Sequence, residues 1–290
     1  MTRPLRLATL AWPVRAEPVA HWLERWCEEA RAAGAELLVL PEYALCAEAF
    51  PGGGGAAAER DRAADAASRL VASLERAAAR HRLWIAGGTV LLRTELGIVN
   101  ACPLVAPEGL AGWQDKNRPT RFEREAWGLA PGAPPRVFET PWGRLGIAVC
   151  YDVEFPPLVR AQARAGAWLI LAPAATDTAA GATRVTVSAR ARAIENQCLV
   201  AVAPTVGTAP WCESLDSNHG RAGIYGPADR FFPDDGIIAE GGENAPGLVV
   251  ATLDPASVDA VRRDGAVLNH ADWPEEVPPC PVVVRPTRAA

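Results

Sequence analysis

The sequence predicts an α/β fold in a single domain, and three observations support this prediction. Apolar runs of strand length recur along the 290 residues, stretches with helical periodicity separate them, and no linker or internal repeat divides the chain. Strands that alternate with helices are typical of sheets covered by helices. We therefore predict one domain over residues 1–290, with a core of about residues 4–265 and a C-terminal tail of about residues 266–290.

Each element is assigned from its periodicity and from the residues at its ends. The predicted strands are the apolar runs Leu5–Trp12, Glu36–Leu40, Leu83–Leu92, Gly97–Val105, Arg144–Cys150, Trp168–Ala172, Cys198–Ala203, Ala222–Tyr225 and Gly247–Leu253. The predicted helices are Pro18–Ala33, Ala56–Arg80, Pro156–Ala165, Ala182–Asn196 (with Arg on its exposed positions) and Pro255–Arg262. The polar, Pro- and Gly-rich stretch Asp115–Pro135 is predicted to be irregular.

Composition argues against several classes of protein. The net charge of -5 and the pI near 5.5 do not provide the basic face that nucleic acid requires. No apolar run approaches the roughly 18–20 residues of a membrane helix. The apolar start of the chain, Met1 to Val14, has no small-residue cleavage pattern, so we predict a first strand there rather than a signal peptide.

Cysteine and histidine usage predicts a cytoplasmic protein that needs no metal and no cofactor. The seven Cys have irregular spacings, which fit reduced thiols better than a disulfide framework. The four His are scattered and show no metal-ligand spacing. The sequence also has no CxxC, HExxH, GxGxxG or P-loop motif.

One residue stands out among the basic side chains. The chain has 29 Lys and Arg residues, and Lys116 is the only lysine among them. A genome biased toward Arg codons explains the excess of Arg. Under such a bias, a retained lysine indicates a position where a compact ammonium is needed, because a planar guanidinium cannot replace it.

Reactive side chains follow three of the predicted buried strands. Glu42 follows the run ELLVL, Cys150 ends the run RLGIAVC, and Thr176 and Asp177 follow WLILA. In α/β folds the carboxyl ends of strands open into a crevice where ligands bind. We therefore expect these side chains to meet in one site.

Cys150 and Glu42 each allow a structural and a functional interpretation. A free Cys is often a small buried hydrophobe, but a thiol at a strand-to-helix turn can be a nucleophile, with the Tyr151 N–H facing an oxyanion. Glu42 is either a cap or surface carboxylate, or a half-buried general base. No His lies near the strand ends, so a Cys–His pair is disfavoured, and a Glu–Lys–Cys arrangement supplies the base instead.

Five stretches of the chain occur in this order: LLVLPEYAL, QDKNRPTRFEREAWGLAPG, RLGIAVCYDVEFPPLVRAQARAGAWLILAPAATDT, ARAIENQCLVAVAP and AGIYGPADRFFPDDG. Together they resemble the nitrilase, or carbon–nitrogen hydrolase, superfamily. The resemblance covers nearly the whole chain and favours its amidase and carbamoyl-hydrolase branches.

This resemblance implies a four-layer αββα sandwich that pairs into homodimers or higher homo-oligomers. It implies a catalytic triad of Glu42, Lys116 and Cys150, and a second glutamate, for which we choose Glu123, with the nearby Glu125 as the alternative. The implied reaction is acyl transfer through a Cys thioester, with Glu42 as the base and with Lys116 and the Tyr151 N–H at the oxyanion. The substrate would be a small molecule with an amide or carbamoyl bond, because Tyr-Asp follows the Cys where nitrile hydrolysers more often have Trp-Glu.

The sequence leaves several alternatives open. Nitrile hydrolysis, acyl transfer to an amine and a catalytically silent binding protein are the other functions of such a scaffold. The pocket candidates are Tyr151, Glu125, Trp127, Thr176 and Asp177, with Trp211 as a weaker one. Arg190 and Arg192 are interpreted as solvated or as ion-pair partners of Glu195, and Asp152 as the cap of the next helix.

Overall fold

Strands and helices alternate along the computed structural model, which describes residues 3–274. The strands are β1 (Leu5–Pro13), β2 (Leu37–Leu40), β3 (Trp84–Gly87), β4 (Val90–Thr94), β5 (Gly97–Ala106), β6 (Gly109–Asp115), β7 (Val137–Thr140), β8 (Gly143–Ile147), β9 (Leu169–Ala174), β10 (Leu199–Thr208), β11 (Ser217–Asn218), β12 (Gly223–Tyr225), β13 (Ile237–Glu240) and β14 (Gly247–Leu253). The α-helices are α1 (Val19–Ala32), α2 (Gly55–His81), α3 (Arg121–Glu125), α4 (Pro156–Arg164), α5 (Ala179–Asn196) and α6 (Pro255–Asp264). Short 3-10 helices span Cys46–Ala49 and Cys150–Glu154.

The strands form one hydrogen-bonded path that folds into two facing sheets. Its order is β4-β5-β3-β2-β1-β10-β9-β8-β7. The first sheet contains β1 to β6 and β14, and the second contains β7 to β10, β12 and β13. The two sheets join where Trp12 and Pro13 of β1 pair in parallel with Thr205 and Val206 of β10. This junction lies close to the ends of β2 and β9, where the site forms.

Alternation along β1 and β2 separates two apolar layers. Ala8 and Leu38 belong to a buried cluster with α1 and α2, whereas Leu7 and Leu37 belong to a cluster shared with the second sheet. Side chains of a strand point alternately to opposite faces, so one face of the first sheet packs on helices and the other on a sheet. Val159 of α4 and Val185, Ala189 and Ala193 of α5 extend the second cluster. The layers therefore run helix, sheet, sheet, helix, as predicted.

The helices have the amphipathic character that the sequence predicts. Trp22 and Leu23 of α1 are buried in the cluster against the first sheet, together with Leu70 and Leu74 of α2. Helix α2 ends at Arg82, which has a left-handed backbone conformation and donates its N–H to the carbonyl of Ala78. Helix α4 begins with Pro156 and Pro157, which have no N–H to leave unpaired in the first turn.

Some predicted boundaries and elements are wrong. The run Leu83–Leu92 is two strands rather than one, because the chain turns at Gly88 and Thr89. Gly88 has φ of 64°, and a Cβ there would lie 2.0 Å from the carbonyl oxygen of Pro41. The predicted irregular stretch contains α3, and the strands β6 and β7 were not predicted. Helix α5 begins three residues earlier than expected, with Thr178 as its N-cap.

The chain beyond α6 returns to α4 within the described residues. Arg160 donates to the carbonyl oxygen of His270 at 2.9 Å, and its guanidinium lies 5.0 Å from the centre of the Trp273 ring. The rest of the predicted tail, residues 275–290, lies outside the described residues. Between residues 3 and 274, no helix has the length and apolar character needed to cross a membrane.

Candidate active site

Cys150 lies at the turn between β8 and the 3-10 helix that it begins. Its φ of 48° is a left-handed conformation, which a residue other than glycine keeps only when its surroundings enforce it. The side chain is 4% exposed. Its Sγ lies 3.4 Å from the carbonyl oxygen of Ala175, and the Glu42 carboxylate is within hydrogen-bonding reach of the same thiol.

Glu42 follows β2 and is fully buried, so it is neither a cap nor a surface carboxylate. Its Oε2 accepts the N–H of Ala175 at 3.0 Å. Its own carbonyl oxygen accepts the hydroxyl of Thr205 at 2.9 Å. The ends of β2, β9 and β10 therefore fix the carboxylate beside Cys150.

Lys116 follows β6, and its backbone N–H extends the pairing with β5 by donating to Asn100 at 2.7 Å. The side chain is 2% exposed. Its Nζ lies 2.8 Å from Glu42 Oε1 and 2.9 Å from Glu123 Oε1. The single lysine of the chain is thus shared between two buried carboxylates.

Of the two candidate second glutamates, Glu123 is the one that contacts Lys116. Glu123 forms a capping box with Thr120 at the start of α3, in which its Oε2 accepts the Thr120 N–H at 2.5 Å. The Glu125 side chain is 62% exposed and pairs with Arg121 at 2.9 Å. Glu125 lies in the lining of the pocket and not beside the ammonium.

Two further residues of this cluster were not identified from the sequence. The Tyr43 hydroxyl donates to Glu123 Oε1. The Asn100 side-chain amide donates to Glu42 Oε1 at 2.8 Å and to the Tyr43 oxygen at 2.7 Å. Tyr43 directly follows Glu42, but Asn100 lies on β5, so no local pattern in the sequence connects it to the site.

The prediction that Asp152 caps the following helix is wrong. Helix α4 has Phe155 at its N-cap and no side-chain cap. Instead the buried Asp152 carboxylate accepts the backbone N–H groups of Asn117 and Arg118, each at 2.8 Å. The backbone directly after Lys116 is therefore tied to the turn that carries Cys150.

Burial and the neighbouring charges together set the pKa values in the cluster. Burial raises the pKa of Glu42, with a further increase from the charge of Glu123 and a partly opposing effect of Lys116. Burial would lower the pKa of Lys116, but the charges of Glu123 and Glu42 outweigh it and raise that pKa well above its usual value. For Glu123 burial is in turn outweighed by Lys116 and by hydrogen bonds, so its pKa is lowered.

The thiol of Cys150 is not acidic by itself. Burial and the adjacent Glu42 raise its pKa well above the usual value, and Lys116 opposes this only in part. Burial raises the pKa of Cys46 and Cys198 as well, in each case to about 12. Cys150 differs from these thiols because a carboxylate with a raised pKa is there to accept its proton.

A cavity of about 830 Å³ leads to these residues, and several predicted pocket candidates line it. Among them Trp127 is buried and packs edge-on against Tyr43, with ring centres 5.1 Å apart. The lining includes Glu42, Lys116, Glu123, Glu125, Trp127, Cys150, Tyr151, Thr176, Asp177, Arg184 and residues 213–218. The segment 213–218 was not identified from the sequence.

Thr176, at the predicted strand end, contacts His219, the residue that follows the segment 213–218. Its hydroxyl donates to the carbonyl oxygen of His219 at 2.6 Å, and its carbonyl accepts the His219 N–H at 2.8 Å. Trp211 is not among the lining residues and packs against the helical cluster on the first sheet.

The two arginines considered for the site have structural contacts instead. Arg192 pairs with Glu195 at 2.9 Å, which confirms the predicted ion pair. Its side chain is only 7% exposed, so the prediction that α5 keeps its Arg residues on exposed positions is wrong there. Arg190 donates to the carbonyl oxygen of Asp235 at 2.8 Å.

This arrangement brings a buried thiol, a buried carboxylate and a buried ammonium together in one cavity. Over residues 3–274, no group of three or more His, Cys, Asp or Glu side chains is placed to hold a metal ion. The chemistry available to the side chains here is proton transfer between Cys150 and Glu42 next to a buried ammonium.

Comparisons with known proteins place this site in a family. The family model described as carbon–nitrogen hydrolase matches residues 5–263. The probable hydrolase YhcX of Bacillus subtilis (strain 168) is 35% identical over 195 residues, which are 67% of this chain and 38% of that protein. Deaminated glutathione amidase of Synechocystis sp. (strain PCC 6803 / GT-S) is 33% identical over 181 residues, 59% of this chain and 63% of that protein. This chain therefore matches less than two thirds of the length of either relative.

Solved structures share the fold. Saccharomyces cerevisiae Nit3, a member of branch 10 of the nitrilase superfamily, has a TM-score of 0.69 at 22% identity, with 90% of this chain and 94% of that chain covered. A mutant of the Nesterenkonia AN1 amidase from the same superfamily has a TM-score of 0.67 at 25% identity, with 88% and 93% covered. The predicted α/β fold and the predicted enzyme class are confirmed. The chain belongs to the carbon–nitrogen hydrolase family.

Proposed function

We propose that this protein hydrolyses an amide or carbamoyl bond of a small molecule, with Cys150 as the nucleophile. The shared position of the Cys150 thiol and the Glu42 carboxylate on the backbone of Ala175, with the Lys116 ammonium 2.8 Å from Glu42, carries this proposal. Such a cluster generates a thiolate by internal proton transfer, without a His. The relatives named deaminated glutathione amidase and omega-amidase support an amide substrate.

The first half of the reaction forms a thioester. Cys150 Sγ attacks the carbonyl carbon while its proton passes to Glu42. The carbonyl oxygen becomes an oxyanion, which the Lys116 ammonium and the Tyr151 N–H stabilise. Tyr151 lies in the first turn of the 3-10 helix at Cys150, where amide groups have no partner within the helix. Glu42 then returns the proton to the leaving nitrogen, and ammonia or an amine departs.

The second half releases the acid. A water molecule attacks the thioester carbon as Glu42 accepts one of its protons, and the same donors bind the second oxyanion. The carbon–sulfur bond then breaks, and the sulfur regains a proton from Glu42. Glu123 contacts Lys116 at 2.9 Å throughout and holds the ammonium between the base and the oxyanion.

A release assay tests the proposal. The purified chain is incubated with simple amides, carbamoyl compounds and nitriles, and ammonia is measured with and without an added amine acceptor. We expect release from amides or carbamoyl compounds, and none from the Cys150→Ala variant. A cysteine away from the cavity, Cys27, provides the matched Cys27→Ala control, which should retain activity. Ammonia release by Cys150→Ala at the wild-type rate would reject the assignment of Cys150 as the nucleophile.

Two other expectations also stay proposals. We propose that the protein forms a homodimer or a larger homo-oligomer and that it acts in the cytoplasm. Size-exclusion chromatography with light scattering measures the oligomeric state. Fractionation of cells that express the native gene measures the location. A monomer at working concentration would contradict the proposed assembly.

A further inference from the structure

The two carboxylates beside Lys116 differ in the number of donors they receive. Glu123 Oε1 accepts from Lys116 at 2.9 Å, from Asn100 at 3.1 Å and from the Tyr43 hydroxyl. Its Oε2 accepts the Thr120 N–H at 2.5 Å. A carboxylate has about four lone-pair sites, and four donors fill those of Glu123, of which only the Tyr43 hydroxyl can also act as an acceptor.

Glu42 keeps one position for a mobile proton. Its Oε1 accepts from Lys116 and Asn100, both at 2.8 Å. Its Oε2 accepts the Ala175 N–H at 3.0 Å, and the Cys150 thiol, 3.4 Å from the Ala175 carbonyl oxygen, lies beside the carboxylate. The thiol is the one donor in this set whose proton leaves during the proposed reaction.

We propose that Tyr43, itself held by Asn100, is a positioning residue that keeps Glu123 ionised, so that the proton of Cys150 goes to Glu42 and not to Glu123. Tyr43 is suited to this because its hydroxyl donates to Glu123 while its oxygen accepts from Asn100 at 2.7 Å. A proton on Glu123 Oε2 would meet the Thr120 N–H, and a proton on Oε1 would force the Tyr43 hydroxyl to stop donating, so either position would lose a hydrogen bond. This inference rests on the proposed role of Glu42 as the base.

The backbone around Tyr43 is built to keep this geometry. Tyr43 has φ of 61°, a left-handed conformation that residues other than glycine rarely adopt. Its N–H donates to the Thr89 hydroxyl at 3.0 Å, and its ring packs against Trp127. Burial raises the pKa of Tyr43 well above its usual value, so the hydroxyl remains a donor at every working pH.

The test is the Tyr43→Phe variant, which removes one oxygen and keeps the ring. Besides Tyr43, the charged or titratable groups that act on Glu123 are Lys116 and Glu42, and both remain in the variant. Loss of a hydrogen bond to a carboxylate destabilises the state in which both carboxylates are ionised. We expect the pH at which the pair takes up a proton to rise by about one unit.

Two readouts report that pH. The first is the acid limb of kcat/KM for amide hydrolysis, which should move to higher pH, with a lower kcat at neutral pH and little change in KM. The second needs no turnover: the infrared band of protonated carboxyl groups, followed against pH, should have a higher midpoint in Tyr43→Phe. Because Asp152 titrates in both proteins, its band cancels in the difference.

Tyr225 provides the matched control. It is a buried tyrosine whose hydroxyl donates to Glu240 at 2.8 Å, and it is not among the residues that line the cavity. Tyr225→Phe should lower stability without moving either midpoint. A Tyr43→Phe variant that loses only stability, with an unchanged infrared midpoint, would overturn the inference.

The Glu123→Gln variant distinguishes an effect of Tyr43 on Glu123 from an effect on Glu42. If Tyr43 acts on the charge of Glu123, adding Tyr43→Phe to Glu123→Gln should shift the infrared midpoint no further. An equal shift in that background would assign the effect to Glu42 and reject the proposal. Failure of the wild type to hydrolyse any amide would reject the proposed function, while the infrared comparison would still decide the role of Tyr43.

Discussion

The Asp152 carboxylate binds the backbone of Asn117, with 2.8 Å between its Oδ2 and the Asn117 nitrogen. Asn117 follows Lys116, and Asp152 lies two residues after Cys150. The other oxygen of Asp152 accepts the Arg118 N–H, also at 2.8 Å. One buried side chain therefore sets the distance between the proposed oxyanion donor and the nucleophile.

The Asp152→Asn variant should lose activity because an amide side chain presents one acceptor and one donor to two N–H groups. We expect an unfolding free energy lower by about 1–3 kcal/mol and a kcat lower by roughly tenfold, from a displacement of Lys116. Asp254→Asn is the control, because Asp254 Oδ1 also accepts a backbone N–H, that of Ala256 at 2.9 Å, at the start of α6. Wild-type kcat in Asp152→Asn would contradict this role.

Asp152 should also make stability depend on pH. Burial raises its pKa from 3.8 to about 6, against the hydrogen bonds from Asn117 and Arg118. The folded state then binds more protons than the unfolded state between these two values, so stability falls as pH rises through this window. The expected loss is about 2 kcal/mol between pH 4 and pH 6. Urea unfolding of the wild type against Asp152→Asn, at several pH values, measures it; a difference that is constant with pH would contradict it.

Gly88 should not tolerate a side chain. Its φ is 64°, and a Cβ would lie 2.0 Å from the carbonyl oxygen of Pro41, the residue before Glu42. Gly53→Ala is a matched control, because Gly53 has φ of 70° and no atom within 4 Å of its Cβ position. Both variants carry the backbone strain of about 1–2 kcal/mol, but Gly88→Ala should lose several times more stability and most of its activity. Equal thermal denaturation midpoints for Gly88→Ala and Gly53→Ala would contradict this prediction, because the backbone would then move away from the new Cβ without a loss of stability.

Local signals explain what the sequence could predict. Glu42 and Cys150 end apolar strands, and Lys116 is the single lysine of the chain, so each was identified from its own neighbourhood. The choice between Glu123 and Glu125 could also have been made locally, because Thr120 and Glu123 have the spacing of a capping box. That box places Glu123, and not Glu125, against the start of α3.

Contacts between distant segments explain what the sequence could not predict. Asn100 reaches Glu42 across 58 residues, and Asp152 reaches Asn117 across 35, so neither partner leaves a periodic or motif signal. Asp152 was assigned as a cap because it precedes a Pro-initiated helix, but caps are local contacts and its real partners are not. The strand β6 was missed because its outer half is exposed and rich in Gly and Ala.

Lys116 should not be replaceable by arginine. Its Nζ lies 2.8 Å from Glu42 and 2.9 Å from Glu123 in a fully enclosed position. A guanidinium is larger and planar, so it would separate the carboxylates and move the charge away from the oxyanion. We expect Lys116→Arg to lower kcat by roughly 100-fold or more. Ammonia release at fixed substrate measures this, and wild-type turnover would show that any cation suffices.

Glu59 should control substrate binding without touching the reacting atoms. This buried side chain of α2 accepts the backbone N–H of Glu213 at 2.9 Å and that of Ser214 at 3.1 Å, and so anchors the segment 213–218 that lines the cavity. We expect Glu59→Gln to raise KM severalfold with little change in kcat, because the cluster around Cys150 is unaffected. A fall in kcat at constant KM would place the effect at the chemical step instead.

The mouth of the cavity should discriminate substrates by charge. Its lining contains Glu125, Glu154, Asp177, Glu213 and Asp216, against Arg121 and Arg184. The two arginines pair with Glu125 and Glu154, which leaves Asp177, Glu213 and Asp216 to face an incoming molecule. These carboxylates should repel an anionic substrate even in water, and salt should weaken the repulsion.

Three amides of nearly equal length test this charge discrimination. They are valeramide, which is neutral, δ-aminovaleramide, which is cationic, and glutaramate, which is anionic. We expect kcat/KM to fall from the cationic to the neutral to the anionic amide, by about fivefold at each step at low salt, with smaller ratios at high salt. The Asp177→Asn variant should reduce the ratios without changing the rate for valeramide. Faster turnover of glutaramate than of valeramide would show that the acidic mouth does not select the substrate.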